Sequence, residues 1–339
     1  MEELRTPGFP CCPIPGGITG LKECRVLVTP TSYGRNDVRL KEELEAQVRE
    51  VVYNRSGRPL TSAELAQMLP GIDGYIAGLD AIDANALRTA DRLKVIARYG
   101  VGVDNVDLAA AREKGITVTN TPGSNSVSVA ELALALILAL ARQIPEAAQA
   151  VRQGGWPRYS GISLEGKTVG ILGLGAIGKQ LARRLAGFDC TIIAFDPVPD
   201  ADFARANHVE LVTLEAVIER SDFITLHLPL LSGTRSMVDE TFLGRMKKGS
   251  FLVNTSRGEV VDEQALFKAI QGGHLRGAGL DTFAVEPPDP GNPLLGLSQV
   301  IATPHLGTQT DSATNRQGWM AMQDCLAVLK GEKPAFRVE

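Results

Sequence analysis

The chain is predicted to be an α/β protein with two parallel-sheet domains, and three observations point there. Candidate strands and helices alternate almost throughout, which is the pattern of parallel α/β sheets. A length of 339 residues exceeds what one hydrophobic core usually serves and suits two domains. At mid-chain, Gly173-Leu174-Gly175-Ala176-Ile177-Gly178 lies between an apolar strand and an amphipathic helix.

In the first half the candidate strands are Arg25–Thr29, Glu50–Tyr53, Gly74–Ala77, Lys94–Ala97 and Ile116–Thr119. Helical periodicity fills the gaps at Asp37–Val48, Thr61–Met68, Asp83–Ala90 and Asp107–Lys114, and Thr61 with Glu64 reads as a capping box. The apolar stretch Val129–Ala141 reads as a long buried helix between the halves. The second half continues with strands Lys167–Leu172, Thr191–Phe195, Phe223–Leu226, Phe251–Asn254, Gly279–Thr282 and Val300–Ala302, then a last helix near Thr310–Leu329.

Each part of the glycine segment has a physical task in binding a dinucleotide. Gly173 permits a tight turn, Gly175 lets backbone amides approach a pyrophosphate, and Gly178 lets the helix pack closely on the strand. The diphosphate then meets the positive end of the helix. Eighteen residues beyond Gly178, Asp196 closes the next apolar run. It would accept hydrogen bonds from ribose hydroxyls and repel a 2′-phosphate, so NAD is expected rather than NADP. A second glycine-rich segment, Tyr99 to Asn105, lacks the third glycine and the acid-terminated strand. It reads as a small-residue loop at which a substrate approaches backbone amides.

Composition narrows the partners. A hydrophobic content of 44%, a charged content of 22% and a net charge of -4 describe an ordinary globular protein without a global basic field, so nucleic acid is not expected as a partner. The five cysteines, Cys11, Cys12, Cys24, Cys190 and Cys325, show no metal-ligand spacing, and reduced thiols in a cytoplasm are expected. Leu132–Ala141 is too short to span a bilayer, so no membrane is expected. Pro7–Gly20, rich in Pro and Gly, reads as a flexible arm rather than a secretion signal.

Three second-half strands run into residues suited to proton transfer and anion binding. Phe251–Asn254 leads to Thr255-Ser256-Arg257-Gly258, Gly279–Thr282 leads to Glu286, and Val300–Ala302 leads to His305. In an open parallel sheet, ligands bind beyond the carboxyl ends of the strands. Arg257 can grip a carboxylate and polarise the oxygen beside it. His305 can move a hydroxyl proton, while Glu286 orients the ring and favours its protonated form. Taken singly, a loop arginine is usually a solvated charge and a glutamate before Pro-Pro a turn residue. Their joint arrangement after the glycine segment reverses that reading. His227, at another strand end, competes with His305 and reads as a residue lining the cofactor side or a satisfied core histidine. His208 and His274 read as structural.

From about Cys24 to Leu329 the chain resembles the D-isomer-specific 2-hydroxyacid dehydrogenases. The resemblance rests on Arg98 to Asp107, Gly170 to Gly178, Asn254 to Gly258, Gly279 to Asp281, Glu286 to Pro288 and Pro304 to Gly307. It implies two Rossmann-like parallel-sheet domains with a cleft and hinge between them. The NAD-binding domain falls on residues 120–310, a discontinuous substrate domain on 24–119 and 311–331, and an arm on 1–23. It implies Arg257, Glu286 and His305 as the catalytic set, and an NAD site that includes Gly173, Gly175, Ala176, Ile177, Gly178, Asp196, Thr255, Ser256 and Asp281, with Asp281 near the nicotinamide carboxamide. Arg98, Tyr99, Gly100, Val101 and Gly102 fall on the substrate side, and a homodimer is implied.

Within the family the chain is most similar to the phosphoglycerate members of serine biosynthesis. One departure stands: such members often carry an arginine just after the strand ending here at Ala77, to hold the substrate phosphate. This chain reads Gly78-Leu79-Asp80, so Asp80 is expected to add repulsion and Arg98 to compensate. Hydroxypyruvate, glyoxylate and sugar acids are the alternative substrates. The same scaffold also serves NAD(H)-sensing corepressors, formate dehydrogenases with glutamine beside the histidine, and phosphite dehydrogenases with the same Arg-Glu-His set.

Overall fold

Residues 20–338 are described in a computed structural model of the chain. Most of the expected arm, with Cys11 and Cys12, lies outside them. Its last residues, Leu21–Glu23, form one 3-10 turn with Leu21 buried.

One unit comprises the described parts of Met1–Ala97, Asn105–Thr119 and Ala321–Glu339. It contains β1 (Arg25–Val28), α1 (Arg39–Gln47), β2 (Glu50–Tyr53), α2 (Ser62–Met68), β3 (Gly74–Ala77), α3 (Ala84–Arg88), β4 (Val95–Arg98), α4 (Leu108–Glu113) and β5 (Thr117–Thr119). The strands are ordered β2-β1-β3-β4-β5, a doubly wound arrangement. Every residue of β3 and β4 is buried, as helices on both faces of a parallel sheet require. Side chains set the starts of α2, α3 and α4. Thr61 and Glu64 close a capping box, Asp83 accepts from Ala86 N, and Asp107 accepts from Ala110 N.

Asp80 has a structural task instead of the expected repulsive one. It is 1% exposed, and its carboxylate accepts from Leu60 N (2.7 Å), Tyr75 Oη (2.8 Å), Gly78 N (3.1 Å) and Thr29 Oγ1. It therefore joins the ends of β1 and β3 to the segment before α2.

The second unit, Arg98–Asp104 and Asn120–Met320, holds the longer sheet. Its elements are α5 (Ser126–Arg142), α6 (Ile144–Arg152), β6 (Thr168–Leu172), α7 (Ala176–Leu185), β7 (Thr191–Phe195), α8 (Ala201–Ala206), β8 (Val209–Leu211), α9 (Leu214–Arg220), β9 (Phe223–Leu226), α10 (Glu240–Arg245), β10 (Phe251–Asn254), α11 (Glu263–Gln271), β11 (Gly277–Leu280) and β12 (Val300–Ala302). A final helix, α12 (Asp311–Leu329), contains the unit boundary at Ala321. The order β12-β11-β10-β9-β6-β7-β8 reverses direction between β6 and β9, and all six pairings are parallel. One core layer gathers Ile193, Ile224, Leu252 and Leu266; the other gathers Ile137, Val169, Leu181 and Val253, with α5 laid across it.

Three boundaries depart from expectation. The second unit continues into α12 as far as Met320, where the substrate domain was expected to resume at residue 311. Arg98–Asp104 groups with the second unit because Thr121 N donates to Gly100 O (3.0 Å) and Asn120 Nδ2 to Val101 O (2.7 Å). The strand expected at Gly279–Thr282 instead ends at Leu280, where Asp281 turns its carboxylate onto the following loop. Among the described residues, no single helix is long and apolar enough to cross a membrane.

Replacing Asp80 by alanine strands several buried donors, each costing about 1–3 kcal/mol. Asp80→Ala should therefore lose about 3 kcal/mol or more in chemical denaturation. A loss under about 1 kcal/mol would show that its hydrogen bonds do not hold this unit together.

Candidate active site

The glycine segment joins β6 to α7 with each glycine in a distinct constraint. Gly173 has φ +95°, and a Cβ there would stand 2.5 Å from His227 O. At Gly178 a Cβ would stand 2.1 Å from Gly173 O, so helix and strand touch through the missing side chain. Gly175, the N-cap of α7, has nothing within 4 Å of its Cβ position. The helix thus opens its positive end, with the N–H groups of Ala176 and Ile177 in the first turn, onto free space. Asp196 follows β7 and binds the loop directly: its Oδ2 accepts from Leu174 N (2.8 Å) and its Oδ1 from Val198 N (2.9 Å). A carboxylate takes about four hydrogen bonds, so both oxygens retain capacity for a diol.

The sheet register levels the neighbouring strand ends. Leu172 pairs with Phe195 and Leu226, Leu226 with Asn254, Asn254 with Leu280, and Leu280 with Ala302. The next residue on each strand, Asp196, Gly173, His227, Thr255, Asp281 and Thr303, therefore lies along one edge. Arg257 and His305 follow from the same edge.

Buried polar groups shape the loops there. Asn254 is fully buried; its Oδ1 accepts from Ser256 N (3.0 Å) and Ser256 Oγ (2.8 Å), and its Nδ2 donates to Arg257 O (2.8 Å). Arg257 donates from Nε to Asp104 Oδ2 (2.8 Å) and from Nη1 to Ser256 O (2.8 Å). Asp281, 1% exposed, accepts from Thr303 Oγ1 (2.6 Å), Leu306 N (2.7 Å) and Gly307 N (2.9 Å), while its carbonyl accepts from His305 N (3.0 Å). Burial pushes the Asp281 carboxyl above the ordinary aspartate value. These bonds hold His305 at φ +51°, an uncommon conformation for a non-glycine residue.

His305 Nδ1 lies 2.7 Å from Glu286 Oε2, and Glu286 Oε1 accepts from Phe283 N (3.1 Å). Burial raises the Glu286 carboxyl, but the His305 hydrogen bond and charge, Phe283 N and the Arg257 charge outweigh it, leaving it below the ordinary glutamate value. An ionised carboxylate only accepts, so Nδ1 carries hydrogen and Nε2 is the nitrogen free for proton exchange.

Of the residues expected on the substrate side, Arg98 and Tyr99 are 5% and 7% exposed. Arg98 Nη1 donates to Tyr99 O (2.9 Å) and Tyr99 Oη to Thr314 O (2.8 Å). The compensating phosphate contact expected of Arg98 is at odds with this burial. Val101 reaches the surface, and Gly102 lies against the Arg257 guanidinium. Asp104, to which the sequence assigned no role, is the partner of Arg257, and Asn254 the anchor of its loop. His227 is not a satisfied core histidine: Nε2 lies 3.1 Å from Thr225 Oγ1, but buried Nδ1 has no partner. Burial lowers its pKa to about 4, so the ring is neutral. Thr255 Oγ1 and Thr282 Oγ1 are likewise buried and unpartnered. Open space before α7 and three orphaned polar atoms at the same edge fit a bound dinucleotide.

The family model described as D-isomer specific 2-hydroxyacid dehydrogenase, NAD binding domain, matches residues 134–307. A D-3-phosphoglycerate dehydrogenase of Methanocaldococcus jannaschii is 43% identical over 277 residues, 80% of this chain and 53% of that protein. The chain thus spans about half the length of that relative. A hydroxypyruvate reductase of Thermotoga maritima is 39% identical over 84% of this chain and 95% of its own length. The crystal structure of the TT0316 protein from Thermus thermophilus superposes with a TM-score of 0.83 at 38% identity, covering 93% of this chain and all of that one.

A carboxyl with a folded pKa below its unfolded value, near 4.5 for glutamate, stabilises the fold above that value. The stabilisation is lost as pH falls through the folded pKa. The urea midpoint of Glu286→Gln should therefore fall below wild type at pH 7, with the gap closing below about pH 4. A gap unchanged down to about pH 3 would contradict the depressed carboxyl.

Proposed function

The chain belongs to the D-isomer-specific 2-hydroxyacid dehydrogenase family, and from that membership we propose that it is an NAD-dependent oxidoreductase interconverting a D-2-hydroxy acid and its 2-oxo acid. The observation that carries this reading is the Glu286–His305 pair at 2.7 Å, on the same sheet edge as Arg257 and the glycine segment.

When bound, the nicotinamide supplies or accepts the hydride. The Gly173–Gly178 backbone and the N-terminus of α7 would hold its diphosphate, Asp196 the ribose diol, and Thr255, Ser256 and Asp281 the remainder of the site. Arg257 holds the substrate carboxylate and draws electron density from the adjacent carbonyl oxygen. His305 delivers a proton from Nε2 to that oxygen during reduction and takes it back during oxidation. Glu286 fixes the ring through Nδ1 and stabilises the imidazolium, as a buried acid does in a catalytic triad. The charge of Asp196 disfavours a 2′-phosphate, so NAD is preferred to NADP.

Within this class we place 3-phosphoglycerate and 3-phosphohydroxypyruvate first, in line with the name of the archaeal relative. Hydroxypyruvate is the second reading, favoured by the absence of a cation at Gly78-Leu79-Asp80. NADH oxidation at 340 nm with 3-phosphohydroxypyruvate, hydroxypyruvate, glyoxylate and pyruvate separates them. Arg257→Ala and His305→Ala should each lower kcat/KM by about 10²-fold or more, and NADPH should be a poor donor. Full activity in both variants would sink the catalytic assignment. No turnover on any 2-oxo acid would move the reading to an NAD(H)-sensing binding protein.

We also propose a cytoplasmic homodimer. Helix α6 buries none of its residues, and Ile144, Val151, Trp156 and Tyr159 are 53%, 52%, 78% and 42% exposed on one continuous segment. A patch of that kind usually meets a protein partner, and the family's habit makes a second copy the proposed one. Val151→Asp combined with Trp156→Ser should convert dimer to monomer in light scattering. A wild-type monomer at micromolar concentration would end the proposal.

A further inference from the structure

The Gly102–Asp104 turn holds the Arg257 guanidinium on two sides. Asp104 Oδ2 takes the Nε hydrogen at 2.8 Å, while Nη2 lies over the bare Cα of Gly102, where a Cβ would stand 1.7 Å from it. Ser256 O takes one Nη1 hydrogen. Of the five guanidinium donors, those remaining lie on the two Nη atoms, the edge that can receive a carboxylate with two parallel bonds.

We infer that Gly102 and Asp104 form a seat that sets the orientation of Arg257, with Asp104 a positioning residue for substrate binding. The inference rests on the proposed role of Arg257. A structural purpose for the pair is poorly supported by magnitude. The two side chains are 30% and 41% exposed, and ion pairs so exposed add little to stability. Orientation is a different matter, because a 1 Å misplacement of a binding group can cost about 10²-fold in rate. Asp104 also removes one orientation from competition: with Nε engaged, a carboxylate cannot dock on the Nε–Nη2 edge. The glycine is as specific as the aspartate. The nearest atoms a methyl group at Gly102 meets are the flexible end of Arg257 and the Asp104 carboxylate, whose Oδ2 would stand at 2.8 Å, so both can yield without disturbing the fold.

The test measures kcat and KM for the preferred 2-oxo acid in wild type, Asp104→Asn, Gly102→Ala, Arg257→Ala and the Asp104→Asn/Arg257→Ala pair. NADH affinity is followed by its fluorescence and folding by thermal melting. Asp104→Asn and Gly102→Ala should each lower kcat/KM by about 10–10²-fold with NADH affinity and melting temperature near wild type. Asp104→Asn should add nothing once Arg257 is alanine. Kinetics within twofold of wild type for both seat variants, or an undiminished Asp104→Asn loss in the Arg257→Ala background, would overturn the inference. So would a lowered KM at unchanged kcat, which would make Asp104 a competitor for the guanidinium. Were Asp104→Asn unable to fold, Gly102→Ala would still decide the question. Wild-type turnover by Arg257→Ala would instead overturn the proposed function itself.

Discussion

The common register of the seven-stranded parallel sheet is the constraint on which the site depends. Because every pairing runs in the same direction, Leu172, Leu226, Asn254, Leu280 and Ala302 end level with one another. The residues that follow them have nowhere to emerge except along one edge. Arg257 and His305, distant in sequence, become neighbours on that edge through ladder hydrogen bonds between β10, β11 and β12. The reversal of strand order between β6 and β9 leaves room there for the glycine segment and the open end of α7.

Rigidity at this edge comes from buried polar groups, while the residues proposed to react are partly exposed. Asn254 and Asp281 are inaccessible, and each ties down a loop through several hydrogen bonds. Bonds to a charged acceptor such as Asp281 contribute about 1.5–3 kcal/mol each, enough to hold His305 in a left-handed conformation that costs about 1–3 kcal/mol. Arg257, Glu286 and His305 keep part of their surface open, and the Arg257–Asp104 and Glu286–His305 contacts orient them without adding much stability.

The two units treat buried polar atoms differently. In the first, Asp80 collects donors from four residues and closes a network. In the second, His227 Nδ1, Thr255 Oγ1 and Thr282 Oγ1 remain unpaired at the sheet edge. Each such atom costs about 1–3 kcal/mol relative to a paired one, so a ligand that pairs them binds more tightly for that reason. Unpaired polar atoms at one edge of an otherwise rigid sheet suit the binding of a polar ligand.

Apolar runs, glycine spacing and capping residues are local properties, and they were sufficient for the strands expected, though not for β8 or for helices α6 and α8 to α11. The expected strands appear within two residues of their expected bounds, the Thr61–Glu64 box closes, and Gly173 and Gly178 meet the steric demands read from their spacing. The strand positions of Arg257, Glu286 and His305 were legible for the same reason, since strand ends in a parallel sheet converge. The partnership of Asp104 with Arg257 was not legible, because it joins residues far apart in sequence and neither carries a local signal for it. Asp80 read as a charge repelling a substrate phosphate, since its donors come from β1, β3 and the segment before α2, and only folding gathers them. By itself the sequence determined the alternating α/β architecture and the glycine loop between β6 and α7, because each depends on short-range periodicity and backbone sterics. Only the tertiary structure decided which carboxylates are buried in hydrogen-bond networks and which stay partly open at the sheet edge, because burial and hydrogen-bond partners are set by contacts that chain order does not contain.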